Sequence, residues 1–357
     1  MRKQIEPRPA SSRRFWVADA RRRDSVVERD LLRFRWHTRS TARKRISSSA
    51  LAAAALLFLS AGYARASFEE PAIGARSAAM GGASLAGGGD SAALFLNPAG
   101  TSGLGAPEAY LMYDQLYAGL SGVGGLSRGF AAFGVPTKVG VLDFGLSDFQ
   151  ASGLLEERVV GVSLAGRLFG DVEAGVTGKY LYHRYLIAGD SLAASDPVFR
   201  NGTARGAFAL DAGVIVPVAN ALTAGLAVRN INEPDVGLAT ADRVPREIQA
   251  GLAYAVEPWA LRWTADYTYR DVFAASGLNR HEPALGVEKS FENGQVKFRA
   301  GATLDRLSAG IGVQFGGLGF DYTFLISRTL AAANAGTHMV GIRYRFGDVA
   351  QSASRSH

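Results

Sequence analysis

The sequence predicts an all-β fold: a transmembrane antiparallel β-barrel of about fourteen strands, with an N-terminal hatch plugging the lumen. Three observations predict it. Hydrophobicity alternates with period two through successive runs, as in residues 259–270, where Trp259, Leu261, Trp263, Ala265, Tyr267 and Tyr269 oppose Arg262, Thr264, Asp266, Thr268 and Arg270. Tight turns and longer connections alternate along the chain. A segment rich in Gly and Ala precedes the first of these runs and can fill the bore.

The first element in chain order is a basic leader, residues 1–66. It holds 16 of the 39 Lys and Arg and 5 of the 32 Asp and Glu, so the rest of the chain carries a net −4 although the whole carries +7. The basic balance therefore belongs to the leader and gives no reason to expect a nucleic-acid partner. Arg43-Lys44-Arg45 precedes the apolar run Ala50–Gly62, and Ala64-Arg65-Ala66 supplies the small residues a signal peptidase reads. The run is short of the roughly 20 apolar residues of a spanning helix. Export with cleavage before Ser67 is expected. Residues 1–42 exceed an ordinary n-region and hold no Met after Met1, so Val26, Val27 or Leu31 are alternative starts. The chain has no Cys, which excludes disulfides, thiolate metal sites, thiol nucleophiles and a lipid-bearing cysteine.

The second element, 67–106, is the expected hatch. Gly81-Gly82 and Gly87-Gly88-Gly89 break it, and Ser91–Leu96 predicts one short helix capped by Asp90 or Ser91 and stopped by Asn97-Pro98. From 107 the chain reads as strands, at 107–118, 127–135, 139–149, 156–168, 171–185, 204–216, 221–230, 246–256, 259–271, 281–290, 294–303, 306–315, 318–328 and 336–346. Most are near the 9–11 residues of a tilted membrane strand. The fourth, with Val159-Val160, fits the alternation poorly. Tight turns fall at 136–138, 170–171, 217–220, 257–258, 292–294 and 316–317, while 186–203 and 231–245 are the longest connections. An even strand number returns both ends of the barrel, and the tail 347–357, to the short-turn side, which is expected to be periplasmic.

A soluble sandwich or propeller would also alternate, with its apolar face inward. Aromatic residues near strand ends (Tyr113, Tyr117, Tyr180, Tyr182, Trp259, Tyr344, Phe346) suit interfacial girdles instead. The polar face then looks into the bore. Gly213, Gly225, Gly251, Gly286, Gly301, Gly310, Gly312 and Gly341 leave room against the wall, and Arg262, Asp266, Arg270, Arg299, Arg343 and Arg345 are expected to face the lumen. An Arg on the lipid face costs about 2–4 kcal/mol at mid-bilayer.

Two hatch elements resemble a known family. Gly74-Ala-Arg-Ser-Ala-Ala-Met80-Gly81-Gly82-Ala83 and Asp90-Ser-Ala-Ala-Leu-Phe-Leu-Asn97-Pro98-Ala99-Gly100 resemble the N-terminal hatch of the FadL-type outer-membrane proteins, nearest the PorV/PorQ-like branch with its A-M-G-G-A and N-P-A-G elements. The resemblance implies a hatch with gating residues Met80, Gly81, Gly82, Asn97, Pro98, Ala99 and Gly100. It also implies passive passage of a small hydrophobic solute through a kink or lateral opening, with Leu94, Phe95 and Leu96 for apolar contact. It implies an outer-membrane location among outer-membrane lipids and no cofactor. A PorV-like role with secretion-system proteins, as an accessory or carrier, is the alternative. Gly341-Ile-Arg-Tyr344-Arg-Phe346 resembles the C-terminal signal read by barrel-assembly machinery, and a monomer is expected.

Other signals carry no chemistry. The five His are scattered, Gly119–Gly125 has no P-loop Lys, and Asp266 and Asp271 project to opposite faces of one strand. With no convergent constellation and no metal spacing, an enzyme is not expected.

Overall fold

The computed structural model describes residues 68, 73–119, 125–151, 153–187, 191–270, 280–328 and 334–347. The leader and signal peptide expected over 1–66, Asp271, and the tail beyond Gly347 lie outside these residues.

Fourteen strands form the wall: β1 (Glu108–Leu116), β2 (Leu126–Thr137), β3 (Gly140–Ala151), β4 (Leu155–Arg167), β5 (Glu173–Tyr185), β6 (Ala204–Ala219), β7 (Leu222–Arg229), β8 (Glu247–Val256), β9 (Leu261–Arg270), β10 (Arg280–Phe291), β11 (Val296–Thr303), β12 (Arg306–Phe315), β13 (Leu318–Ser327) and β14 (Thr337–Arg345). Each pairs antiparallel with its sequence neighbours, and β1 closes on β14 with Met112 opposite Gly341. Closure satisfies the backbone without an edge, which is the condition for a sheet in lipid. Every one of the fourteen strands carries an exposed large apolar side chain, such as Leu111 (58%), Phe208 (74%) and Phe298 (52%). A surface so continuous is not that of a water-soluble monomer. Outward charges on β3–β5 gather at the loop-side ends, where Arg158 pairs with Asp148 at 2.6 Å and Arg184 with Glu156 at 2.9 Å.

β4 corrects one expectation. Its alternation is strict, with Val159 buried inward and Val160 half exposed outward. An inward valine is stable there because the bore at that level holds apolar hatch residues. Val159 belongs to one apolar cluster with Ile73, Leu94, Phe95, Tyr110, Met112, Phe130 and Leu181.

The wall has uneven height on the loop side. β11 stops at Thr303, so residues 280–283 of β10 pair with β9 alone, and Pro283 sits where a missing N–H matters least. β7 is eight residues long against sixteen in β6. The connection after β7 covers the difference. Asn232 takes a hydrogen bond from Leu210 N (3.0 Å) and donates to Phe208 O (2.7 Å), so one side-chain amide stands in for a strand residue. The same connection turns inward and buries Val236 and Val244 in the apolar cluster.

The hatch crosses the bore. It holds helix α1 (Ala75–Ala79) and two 3₁₀ turns, Ser91–Phe95 and Pro98–Thr101. The helix expected over Ser91–Leu96 is thus a 3₁₀ turn, and its Asp90 carboxylate does not cap it but lies 3.8 Å from Arg76 Nη1.

Candidate functional site

The site is the hatch and the wall that grips it. Small residues let the hatch approach the wall backbone. Seven of the eight expected inward glycines abut the hatch, and Gly312 abuts the Arg299 and Asp321 side chains. A Cβ on Gly286 would lie 2.8 Å from Met80 Cβ, and one on Gly301 would lie 2.7 Å from Met80 Cα. Gly145, Gly161 and Gly175 were not singled out from the sequence, yet they face Leu94, Phe95 and Pro98–Ala99 respectively.

Wall side chains satisfy the hatch backbone. Tyr110 Oη accepts from Ala75 N (2.9 Å), Thr323 Oγ1 donates to Ala75 O (2.6 Å), and Ser308 Oγ donates to Ala79 O (3.0 Å) and accepts from Gly81 N (3.0 Å). Asp266 accepts from Leu85 N (2.8 Å) and Glu108 from Ser91 N (2.9 Å). Thr177 Oγ1 donates to Leu94 O (2.9 Å), and Arg229 Nη1 donates to Phe95 O (3.2 Å). The hatch is short of regular structure of its own, so these bonds supply what a ladder would. Tyr110, Thr177, Arg229, Ser308 and Thr323 are missing from the sequence-based set, although each has the inward parity of its strand.

The expected gating residues shape the hatch itself. Met80 is fully buried, and Gly81 and Gly82 take left-handed φ of 69° and 87°. Asn97 accepts from Ala99 N (3.2 Å), capping the turn that Pro98 opens, and donates from Nδ2 to Leu85 O (3.0 Å), tying the two halves of the hatch together. Ala99 is buried, and Gly100 packs on Gly88, with Gly89 N donating to Gly100 O at 2.8 Å. Leu94 and Phe95 are buried against the wall; Phe95 meets the Phe130 ring edge-on at 5.9 Å. Leu96 lines both a cavity of about 80 Å³ on the loop side of the hatch and one of about 20 Å³ within it.

The six expected lumen residues all face inward, and four of them, Arg270, Arg299, Arg343 and Arg345, fall into two networks. On the loop side Arg270 pairs with Glu247 (2.5 Å) and Glu282 (3.2 Å), and Glu247 also binds Arg229. On the short-turn side Arg299 bridges Glu288 (2.7 Å) and Asp321 (2.6 Å), while Arg345 binds Glu108 (2.7 Å) and Gly89 O (2.8 Å). Arg343 donates to Gln314 at 2.9 Å. From the hatch, Arg76 reaches Glu288 at 3.3 Å. Burial opposes the Arg76 charge, but Glu288 and Asp90 outweigh it and hold the guanidinium above its ordinary value. Asp266 belongs to neither network, since it binds the hatch backbone. Arg262 faces a vestibule of about 450 Å³ on the short-turn side.

No known family profile matches the chain, and no curated protein sequence matches it. Among solved structures, the chain is similar to the CymD monoaromatic hydrocarbon channel, with a TM-score of 0.55 at 15% identity over 78% of this chain and 99% of that one. It is similar to the toluene transporter TbuX of Ralstonia pickettii, with a TM-score of 0.55 at 15% identity over 78% and 100%. A FadL homologue of Pseudomonas aeruginosa gives 0.53 at 14% identity over 78% and 99%. At these identities the likeness is one of fold, and the chain has the barrel fold of these FadL-like channels.

Proposed function

We propose that this protein is an outer-membrane channel for passive entry of small hydrophobic molecules, exported by its N-terminal signal and inserted as a monomer by barrel-assembly machinery. The observation that carries the reading is a bore closed by a hatch gripped through side chains, in a fold shared with channels named for monoaromatic hydrocarbons and toluene. The outward apolar band on all fourteen strands supports the membrane setting.

Size indicates how the channel works. A cavity of about 150 Å³ accommodates benzene, whereas the space beside Leu96 is about 80 Å³. A monoaromatic ring therefore passes only when the hatch shifts. The segment Leu94–Leu96 is tied at its carbonyls by Thr177 and Arg229, and freeing those two bonds would let Leu96 retreat. Uptake of labelled toluene or fatty acid into liposomes tests the proposal, with the mature chain and with residues 67–100 removed. Entry above that of empty liposomes is the expected result, and none in either form would remove the transport reading.

A second reading, a PorV/PorQ-like accessory of protein secretion, is favoured by the A-M-G-G-A and N-P-A-G elements at Ala79–Ala83 and Asn97–Gly100. Co-purification with an exported protein, in the absence of solute uptake, would favour it.

A further inference from the structure

The vestibule of about 450 Å³ on the short-turn side of the hatch contains more cations than its acids can pair. The acids that the networks use are already engaged, and Glu257, exposed on the β8–β9 turn, is the one other carboxylate lining the space among the described residues. Glu288 is held by Arg76 at 3.3 Å and Arg299 at 2.7 Å, Asp321 by Arg299 at 2.6 Å, and Glu108 by Arg345 at 2.7 Å with Arg343 at 3.8 Å. Two further cations line the same space, Arg262 from β9 and Lys297 from β11. Among the described residues neither has a hydrogen-bond or ion-pair partner, and both are half-buried. Register explains why. Arg262 lies opposite Glu288, which lies opposite Arg299, so the one carboxylate between the two arginines is taken from the far side. Lys297 lies opposite Gly312, which offers no side chain. Arg262 Nη1 and Arg76 Nη2 also converge, since they lie 3.9 Å and 4.0 Å from the point a Cβ on Gly87 would occupy. Like charges do not approach in a half-buried cavity at no cost, and an anion between them reverses the sign of that interaction.

We propose that this vestibule is an oxyanion-binding site, in which Arg262 and Lys297 take the carboxylate of a small organic acid or a phosphate group, with Arg76 flanking. A guanidinium presents paired N–H donors to a planar carboxylate, and the Lys ammonium adds a point charge from the adjacent wall. The site lies on the short-turn side of the hatch, so binding does not depend on whether the protein conducts a solute.

The test is titration calorimetry on the full-length protein in a non-ionic detergent at low ionic strength, with sodium benzoate, its neutral counterpart benzyl alcohol, and inorganic phosphate. Benzoate or phosphate binds saturably, and benzyl alcohol at least tenfold more weakly. The double variant Arg262→Gln/Lys297→Gln loses at least tenfold in anion affinity, whereas Lys138→Gln, on the exposed β2–β3 turn, loses nothing. Benzoate without phosphate identifies an organic acid as the ligand source, and binding of both identifies a general oxyanion site. Among the described residues neither Arg262 nor Lys297 is in an ion pair, and Glu288 keeps Arg76 and Arg299, so neutralising the two breaks no pair. The double variant should therefore fold, as its heat-shifted gel mobility reports, and its thermal midpoint should stop rising with added anion. Absence of saturable binding by either anion overturns the proposal. Equal affinity for benzyl alcohol, or full anion affinity in the folded double variant, overturns it too.

Discussion

Gly301 carries no side chain because the backbone of Met80 and Gly81 occupies the place one would take. Gly301→Val forces the hatch or the wall to move, an overpacking that costs about 1–3 kcal/mol. A lower guanidinium midpoint of the detergent-solubilised barrel would show it, and an unchanged midpoint would mean the hatch does not lie there. Arg299 poses the opposite case. It is 2% exposed at its side chain and stands between two carboxylates. Arg299→Met leaves Glu288 with Arg76 alone and Asp321 without its guanidinium, a loss of about 3–5 kcal/mol read on the same unfolding curve. Parity along each strand was enough to point Gly301 and Arg299 inward. It could not name Glu288 or Asp321 as partners, because pairing depends on the register between strands, which one strand's pattern does not contain.

At the scale of the element, the hatch is held from outside. α1 spans five residues and has no amphipathic period that would announce it. It forms where Tyr110, Ser308 and Thr323 receive its ends, and those partners are 35 or more residues away. The expected helix at Ser91–Leu96 tightened to a 3₁₀ turn for a related reason, since its Asp90 turned to Arg76. Asn97 was legible from sequence because its work is partly local, as the cap of the Pro98 turn. Its second bond, to Leu85 O, was not. Asn97→Ala removes both and costs about 0.5–2 kcal/mol for the cap alone. The expected readout is faster proteolysis within residues 85–100 while the barrel stays intact; equal cleavage rates in variant and parent would count against a tie across the hatch. The strands of the wall were the most readable elements, because lipid on one side and a filled bore on the other impose period two on each. β4 shows the limit: Val159 looks like a break in the pattern until the apolar filling of the bore is known.

For the whole molecule, closure and plugging belong together. A fourteen-strand cylinder with a polar, glycine-lined inner wall would fill with water, and an open aqueous bore would leak. The hatch replaces that water with backbone bonded to Tyr110, Thr177, Asp266, Ser308 and Thr323 and with the buried Ile73, Leu94 and Phe95. The most direct test of this arrangement is ion conductance across a planar lipid bilayer, for the mature chain and for a form lacking residues 73–106 whose heat-shifted gel mobility shows a folded barrel. A silent mature chain and a steady open conductance in the shortened form are predicted. Equal conductance in the two folded forms would contradict a hatch that seals the bore.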